Sequence, residues 1–444
     1  MAIEPCDLDD GLVLRRSRRA DAAEMADFNA RIHSDFGFDQ PDEKMAAWTR
    51  DLLERPHPTF DPGDFTLVED TRSGCIVSAA NLISQTWTFG GVPFGVGRPE
   101  LVGTLPEYRR RGLIRAQMAV LHQWSAERGQ LVQAITGIPN FYRQFDYEMA
   151  LPLQGGRSAF EPQIPLLKQG AAEPFKLRPA NLDDIPFLAE VYDHAAAARN
   201  LISCTRDAAQ WRYELEGQSP DNLNRRAVQV IESAGGEAVG YLAHLPWLGD
   251  GGWLAATAFE LKPGVSWLAV SPSVLRYLWA TGLDYTARAG GPLRHISLVL
   301  GDQHPAYEAC GDRLPLGWPP YAWYIRLPDV PGFLRRVAPV LEARLACSIA
   351  AGHTGELKLS FYRDGLRLRL EAGRVAAVEP WQPSVAQDGS AAFPNHSFLQ
   401  LLFGYRALAE LQAAYPDCMV REDEARVLLN GLFPKQASNI WPIS

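Results

Sequence analysis

The chain has 444 residues, of which 47% are hydrophobic and 21% charged, with a formal net charge of −9. That is the make-up of an ordinary globular protein, long enough for two to four domains, and its acidic balance excludes general nucleic-acid binding, which needs a basic footprint. No apolar run approaches the ~20 residues of a membrane span, and the acidic start MAIEPCDLDDG is not a signal peptide, so a cytoplasmic location is expected.

Taken in order, Leu12–Leu14 reads as a strand, and Ala20–Ile32 as a helix with Ala22, Met25, Phe28 and Ile32 on one face. A second helix is expected over 42–54, then strands over 65–69, 75–82 and 131–136, and a bend at Gly90-Gly91. Proline-spaced 155–174 reads as a linker. Beyond it Leu177-Arg178, Asp184 and Leu188 echo Leu14-Arg15, Asp21 and Met25 at an offset of 163. Strands are expected at 227–232, 239–244, 267–270 and 295–300, and a helix over 272–289. The last unit offers an amphipathic helix over 330–346, a hairpin of alternating leucines around Asp364-Gly365, and helices over 395–405, 407–415 and 422–432. The apolar end, with Phe433, Ile440 and Trp441, is expected to pack. Six dispersed cysteines form neither a metal site nor a disulfide framework, so no metal is expected.

The most informative stretch is Leu101–Gly129, reading LVGTLPEYRRRGLIRAQMAVLHQWSAERG. A strand end and a proline turn lead to Arg109, Arg110, Arg111 and Gly112, and a helix follows at once. Free N–H groups at a helix start, the positive dipole end and guanidinium donors together make an anion site. The pattern lacks the Gly-x-x-x-x-Gly-Lys-Ser/Thr of a nucleotide P-loop and the Gly-x-Gly-x-x-Gly of a Rossmann turn.

Arg109 and Gly112 resemble motif A of the GNAT N-acetyltransferases, with Ile114 departing at the last position. Together with Tyr142, Phe145 and Tyr147, the RRRGL loop resembles the Eis-type (enhanced intracellular survival) enzymes. The resemblance implies an α/β (α+β) chain: a GNAT domain over 1–156, a second, degenerate GNAT-like domain over 175–327, and a sterol-carrier-like C-terminal domain over 328–444. It further implies acetyl-CoA as cosubstrate and a homo-oligomer. Val102, Gly103 and Thr104 would meet the pantetheine arm, and Arg109, Arg110, Arg111, Gly112, Leu113, Ile114 and Arg115 the pyrophosphate. Tyr142 would be the general acid, with Tyr147 its competitor. Ser444, through the C-terminal carboxylate, would be the general base, and Asp35 would attract a cationic amine.

The expected activity is direct transfer of an acetyl group to a primary amine in a ternary complex, the acceptor being a small, plausibly polycationic, amine or a protein lysine. Plainer readings stand beside these roles: a solvated basic turn at 109–111, a packing role for Tyr142, a helix-end carboxylate at Asp35, a merely packed terminus at Ser444. His33 is a spare candidate base. The rival class is a non-catalytic acyl-CoA-sensing or lipid-carrying protein on a retired acetyltransferase frame.

Overall fold

The computed structural model describes residues 5–384 and 388–441. The first unit runs β1 (Leu12–Arg16), α1 (Ala22–Ile32), α2 (Glu43–Glu54), β2 (Phe65–Asp70), a long hairpin of β3 (Cys75–Phe89) and β4 (Val92–Thr104), α3 (Leu113–Glu127), β5 (Val132–Ile135) and β6 (Glu148–Leu153). β7 (Gly156–Ala159) follows at once. The second unit runs β8 (Phe175–Pro179), α4 (Ile185–Arg199), β9 (Ala227–Ser233), β10 (Ala238–His244), β11 (Trp253–Leu261), α5 (Trp267–Ala289), β12 (His295–Leu298) and, at its end, β13 (Tyr321–Arg326). The fold is mixed α/β.

The two sheets exchange strands. The first has the order β1-β2-β3-β4-β5-β13-β6, and the second, read from β8, runs β8-β9-β10-β11-β12-β7. In each, four antiparallel strands meet a parallel neighbour (β4 with β5, β11 with β12), and the next place is taken by a strand from the other end of the chain. The 155–174 segment is therefore not a plain linker, because β7 within it pairs with β12 from Ile296↔Ala159 to Leu298↔Arg157. In return β13 inserts into the first sheet, pairing Tyr324↔Ile135 on one side and Tyr321↔Leu153 on the other.

The offset of 163 recurs in three dimensions. Arg15 pairs with Asp21 at 2.9 Å and with Glu69 at 2.8 Å. Arg178 pairs with Asp184 and with Glu232, each at 2.7 Å. In both units one guanidinium fork ties a strand to the start of the following helix and to the neighbouring strand, using the bidentate geometry that arginine offers carboxylates.

Two sequence expectations change. The strand foreseen at 267–270 is the first turn of α5, capped by Ser266, whose hydroxyl accepts from the Ala269 N–H at 3.3 Å. Pro272 sits inside that helix and withholds one bond from the carbonyl of Leu268, an exposed residue. The helix foreseen over 330–346 is two, Val330–Arg336 and Ala338–Ala346, broken at Val337 just before Pro339.

The remaining residues form a third sheet, with Gly355–Ser360, Gly365–Glu371 and Arg374–Trp381 as its main strands. Its alternating leucines Leu357, Leu359, Leu366, Leu368 and Leu370 are fully buried, so the apolar face is packed core. Phe333 wedges against Phe89 and Phe94 at 5.8 and 5.2 Å between ring centroids, which joins this unit to the tip of the β3–β4 hairpin. The chain end packs as expected: Phe433, Ile440 and Trp441 are buried, the Ala437 carbonyl accepts from the Leu201 N–H at 2.8 Å, and the Arg206 guanidinium stacks on Trp441 at 4.7 Å. No helix among the described residues is long and apolar enough to cross a membrane.

Burial holds His33, His122 and His244 each at about 4, well below the ordinary imidazole value. In the unfolded chain they take up protons near 6.5, so the unfolded state binds more protons between about 6.5 and 4 and gains on the folded one there. Folding stability should hold above pH 7 and fall steadily from pH 6.5 toward 5, still above the ordinary carboxylate range. Urea midpoints at pH 7.5, 6 and 5 check this; a flat series would contradict it.

Candidate active site

A kink in β4 makes the site. Its pairing with β3 keeps register from Val92 to Glu100, then slips so that Leu101 and Val102 together face Ala80. Leu101 takes a left-handed φ of 51° to do so. β4 and β5 are hydrogen-bonded only at Val96↔Val132 and Gly97↔Gln133, and beyond that they diverge. A cavity of about 1320 Å³ opens between them, walled by β4, the 109–115 loop, the ends of α1 and α2, and the 135–145 segment.

The 101–115 stretch folds as the strand, glycine turn and helix start read from its sequence. Gly112 caps α3 at φ 80°, a conformation that costs a glycine little, and no side chain caps the helix. The first intrahelical bond of the turn is from the Ala116 N–H to the Gly112 carbonyl at 3.1 Å, so the N–H groups of Leu113, Ile114 and Arg115 have no helical partner. Arg109, Arg110 and Arg115 line the cavity. Arg109 is braced by the Thr104 carbonyl at 3.3 Å, and Arg115 by Gln144 at 3.3 Å and the Phe145 ring at 5.6 Å. Arg111 departs from the expected set: it turns away to Asp10 at 2.9 Å and does not line the cavity. Val102, Gly103 and Thr104 lie along the β4 wall, and Leu113 and Ile114 along the helix start. A buried network fixes the helix to the sheet: Gln117 donates to the Thr66 carbonyl at 3.1 Å and accepts from Ser78 at 2.7 Å.

Tyr142 lies in the opposite wall, in the short helical turn Phe141–Phe145, entered and left by left-handed Asn140 and Asp146. Its ring packs beside Phe141 at 5.1 Å and Tyr324 at 5.7 Å. Tyr324 comes from the exchanged strand β13, and its hydroxyl also accepts from the Asn140 N–H at 2.6 Å. Burial, then the nearby Glu100 carboxylate, raise the Tyr142 phenol well above its ordinary value, so it keeps its proton. Tyr147 differs: it is wholly buried, outside the cavity wall, and its hydroxyl is 3.0 Å from His122 Nε2.

Two further residues stand at the cavity floor. Glu100 is half-buried and ion-paired with the buried Arg98, itself stacked on Trp323 at 4.9 Å. Burial raises the Glu100 carboxyl despite Arg98. The sequence held a signal for both, since Arg98 and Glu100 are charged residues two apart on an apolar strand. Tyr324 carried none.

Asp35 falls outside the cavity wall, because the Ser34 hydroxyl donates to the Gln40 carbonyl at 2.5 Å and folds the 34–40 loop outward, leaving Asp35 exposed. Ser444 lies outside the described residues. His33 does line the cavity, and no metal-binding cluster occurs among the described residues.

Gly137 lies against the Tyr142 ring, where any Cβ would overlap Cε2 and Cδ2. Gly137→Ala should therefore displace Tyr142 and lower turnover at least tenfold, about 1.4 kcal/mol at the barrier, and should also lower the midpoint of thermal unfolding, since the displaced ring is buried; turnover is read well below that midpoint. Unchanged kcat would show that the ring position does not matter.

Residues 16–150 match the family described as acetyltransferase (GNAT) domain. No curated protein matches the chain. Among solved structures, a conserved protein of unknown function and probable N-acyltransferase from Enterococcus faecalis V583 is 14% identical with a TM-score of 0.66, over 98% of this chain and 100% of that one. A GCN5-related N-acetyltransferase from Kribbella flavida is 19% identical with a TM-score of 0.61, over 97% of each chain. Eis1 from Mycobacterium abscessus is 17% identical with a TM-score of 0.59, over 96% of this chain and 98% of that one. At such identities the likeness speaks for the fold, while the matched segment includes the helix start, Tyr142 and all of the cavity lining but Leu153, Gln154 and Asn224. The chain thus carries a GNAT acetyltransferase domain over residues 16–150, which makes it an acyltransferase, set within a whole-chain fold similar to that of Eis1.

Proposed function

We propose that the protein transfers an acetyl group from acetyl-CoA to a primary amine, directly and within a ternary complex. One observation carries the reading: an open helix N-terminus with three arginines and a protonated, buried tyrosine line one cavity, at a strand kink that bares backbone N–H groups. The donor set fits a pyrophosphate at one end, and the cosubstrate brings the acetyl group already activated as a thioester. The Arg109, Arg110 and Arg115 guanidiniums and the N–H groups at the α3 start hold the anion. Backbone N–H groups of Val102–Thr104 orient the carbonyl and meet the negative charge that develops on its oxygen. As the amine nitrogen forms its bond to the carbonyl carbon and the C–S bond breaks, Tyr142 gives its proton to the departing sulfur. The amine's own proton leaves to a base, for which the C-terminal carboxylate at Ser444 is our reading. The buried, Arg206-stacked Trp441 supports an anchored chain end. No cysteine lies in the cavity wall, which favours direct transfer over a covalent relay.

The paired Arg15 and Arg178 constellations and the matching strand orders support the further reading that the second unit is a degenerate copy of the first, the boundaries falling near 156, 175 and 327. The helix start that binds anions in the first unit has no arginine-rich glycine loop before α5, so a single cofactor site per chain is proposed.

Tyr142→Phe should lower kcat about a hundredfold and change acetyl-CoA affinity less than threefold, read from thiol release and calorimetry. Wild-type turnover in that variant removes Tyr142 from the mechanism. Because the phenol stays protonated, kcat/KM in the wild type should climb with pH as the amine loses its proton and show no alkaline fall below pH 10. Ending the chain after Trp441 should cut kcat by tenfold or more without lowering the unfolding midpoint; a fully active truncation makes the terminus structural only.

A further inference from the structure

Three residues of the cavity lining carry a side-chain atom shielded from bulk solvent with no hydrogen-bond partner among the described residues: His33 Nε2, Trp48 Nε1 and Asn224 Nδ2. They reach the cavity from different elements. His33 ends α1, its N–H bonded to the Asn29 carbonyl at 3.0 Å. Trp48 lies on α2 and is 7% exposed. Asn224 belongs to the second unit and is carried in by the 219–224 segment, which is pinned to α2: Ser219 and Asn222 donate to Asp51 at 2.8 and 2.6 Å, and the Leu223 N–H to the Lys44 carbonyl at 3.3 Å.

Leaving such groups unpaired costs about 1–3 kcal/mol each, so a ligand oxygen seated among them gains what they lack. An indole N–H and an amide NH2 only donate, so the partner they suit is an acceptor. Burial keeps the His33 ring neutral. Among the described residues the wall carries four arginines (Arg98, Arg109, Arg110, Arg115) against one carboxylate, Glu100, which Arg98 already pairs, and the chain-end carboxylate proposed above is taken up by the reacting amine's own proton. Nothing else among the described residues of the wall offers a second ammonium a counter-charge, and Asp35 lies outside.

Resting on the acyl-transfer reading above, we propose that the acceptor is a monoamine whose body carries a hydrogen-bond-accepting oxygen, an amide carbonyl or a hydroxyl, held by Trp48 and Asn224, and not a polycation. The negative net charge of the chain is a property of its outer surface and does not extend to this cavity. The second unit then has a role in the first unit's chemistry: through Asn224 it sets which amine is taken.

The test compares 4-aminobutanamide, 4-amino-1-butanol, n-pentylamine and 1,4-diaminobutane on the full chain loaded with CoA, by calorimetry, and with acetyl-CoA, by thiol release. The amide or the alcohol should bind about ten- to hundredfold more tightly than pentylamine, with the diamine weakest. Asn224→Leu and Trp48→Phe should each bring the amide-to-alkyl ratio toward one, with CoA-induced thermal shifts showing that both variants are folded. Preference for the diamine, equal binding of all four, or a ratio that survives both substitutions overturns the proposal. Oxygen-dependent binding without thiol release would instead sink the acyl-transfer reading and leave this one standing; turnover with no oxygen preference does the reverse.

Discussion

Everything at the site hangs on one slip of register in β4. Had Leu101 and Val102 kept the alternation of the preceding nine residues, β4 would have run on beside β5, and a sheet with no opening would lie where the cavity is. The left-handed residue at 101 spends a little conformational energy and returns a wedge-shaped gap at the middle of a stiff sheet. The gap is lined by main-chain groups that would otherwise be consumed in pairing. The helix start, the arginines and Tyr142 are then placed by ordinary means around it.

Within that gap the charges are divided by position. Of the arginines around the α3 start, Arg109 is braced by one carbonyl and Arg115 by one amide and one ring, which leaves most of their donors available to an anion. Arg98 is the opposite case: it is buried, stacked on Trp323 and spent on Glu100. A single type of side chain is thus left with open donors at one end, where we propose it holds the anion, and is a structural counter-ion at the other, and burial decides which.

The anion end was legible because it is local. Arg109, Gly112 and the apolar face of α3 are consecutive in sequence, so turn chemistry and helix periodicity read them together. Tyr142 was legible through its neighbours Phe145 and Tyr147, and only the three-dimensional arrangement separates it from Tyr147, one facing the cavity and the other sealed against His122. What stayed hidden is non-local. Tyr324 and Asn224 reach the first unit from more than 80 residues beyond Tyr142, and neither sits in any motif. β7 was missed because a four-residue strand in a proline-spaced stretch has no periodicity to show, and α5 was cut short because Pro272 is a helix breaker whose cost a buried amphipathic face outweighs. The offset of 163 rested on a few identities in sequence, yet it marked two ion-pair triads that coincide residue for residue.

The exchange of β7 and β13 also has a bearing on how the chain is made. As synthesis proceeds, β5 and β6 emerge with the slot between them unfilled, and its occupant, β13, begins only at Tyr321, well after Leu153. At roughly 5–20 residues per second that is a delay on the order of ten to thirty seconds, during which two strand edges stay open to pairing with other chains. The first unit is thus the first to be translated and among the last to close, and its tyrosine pocket is completed from the far side of the second unit. Folding in this protein is a mutual handover, and a ribosome pausing between the two units would hold the catalytic half unfinished.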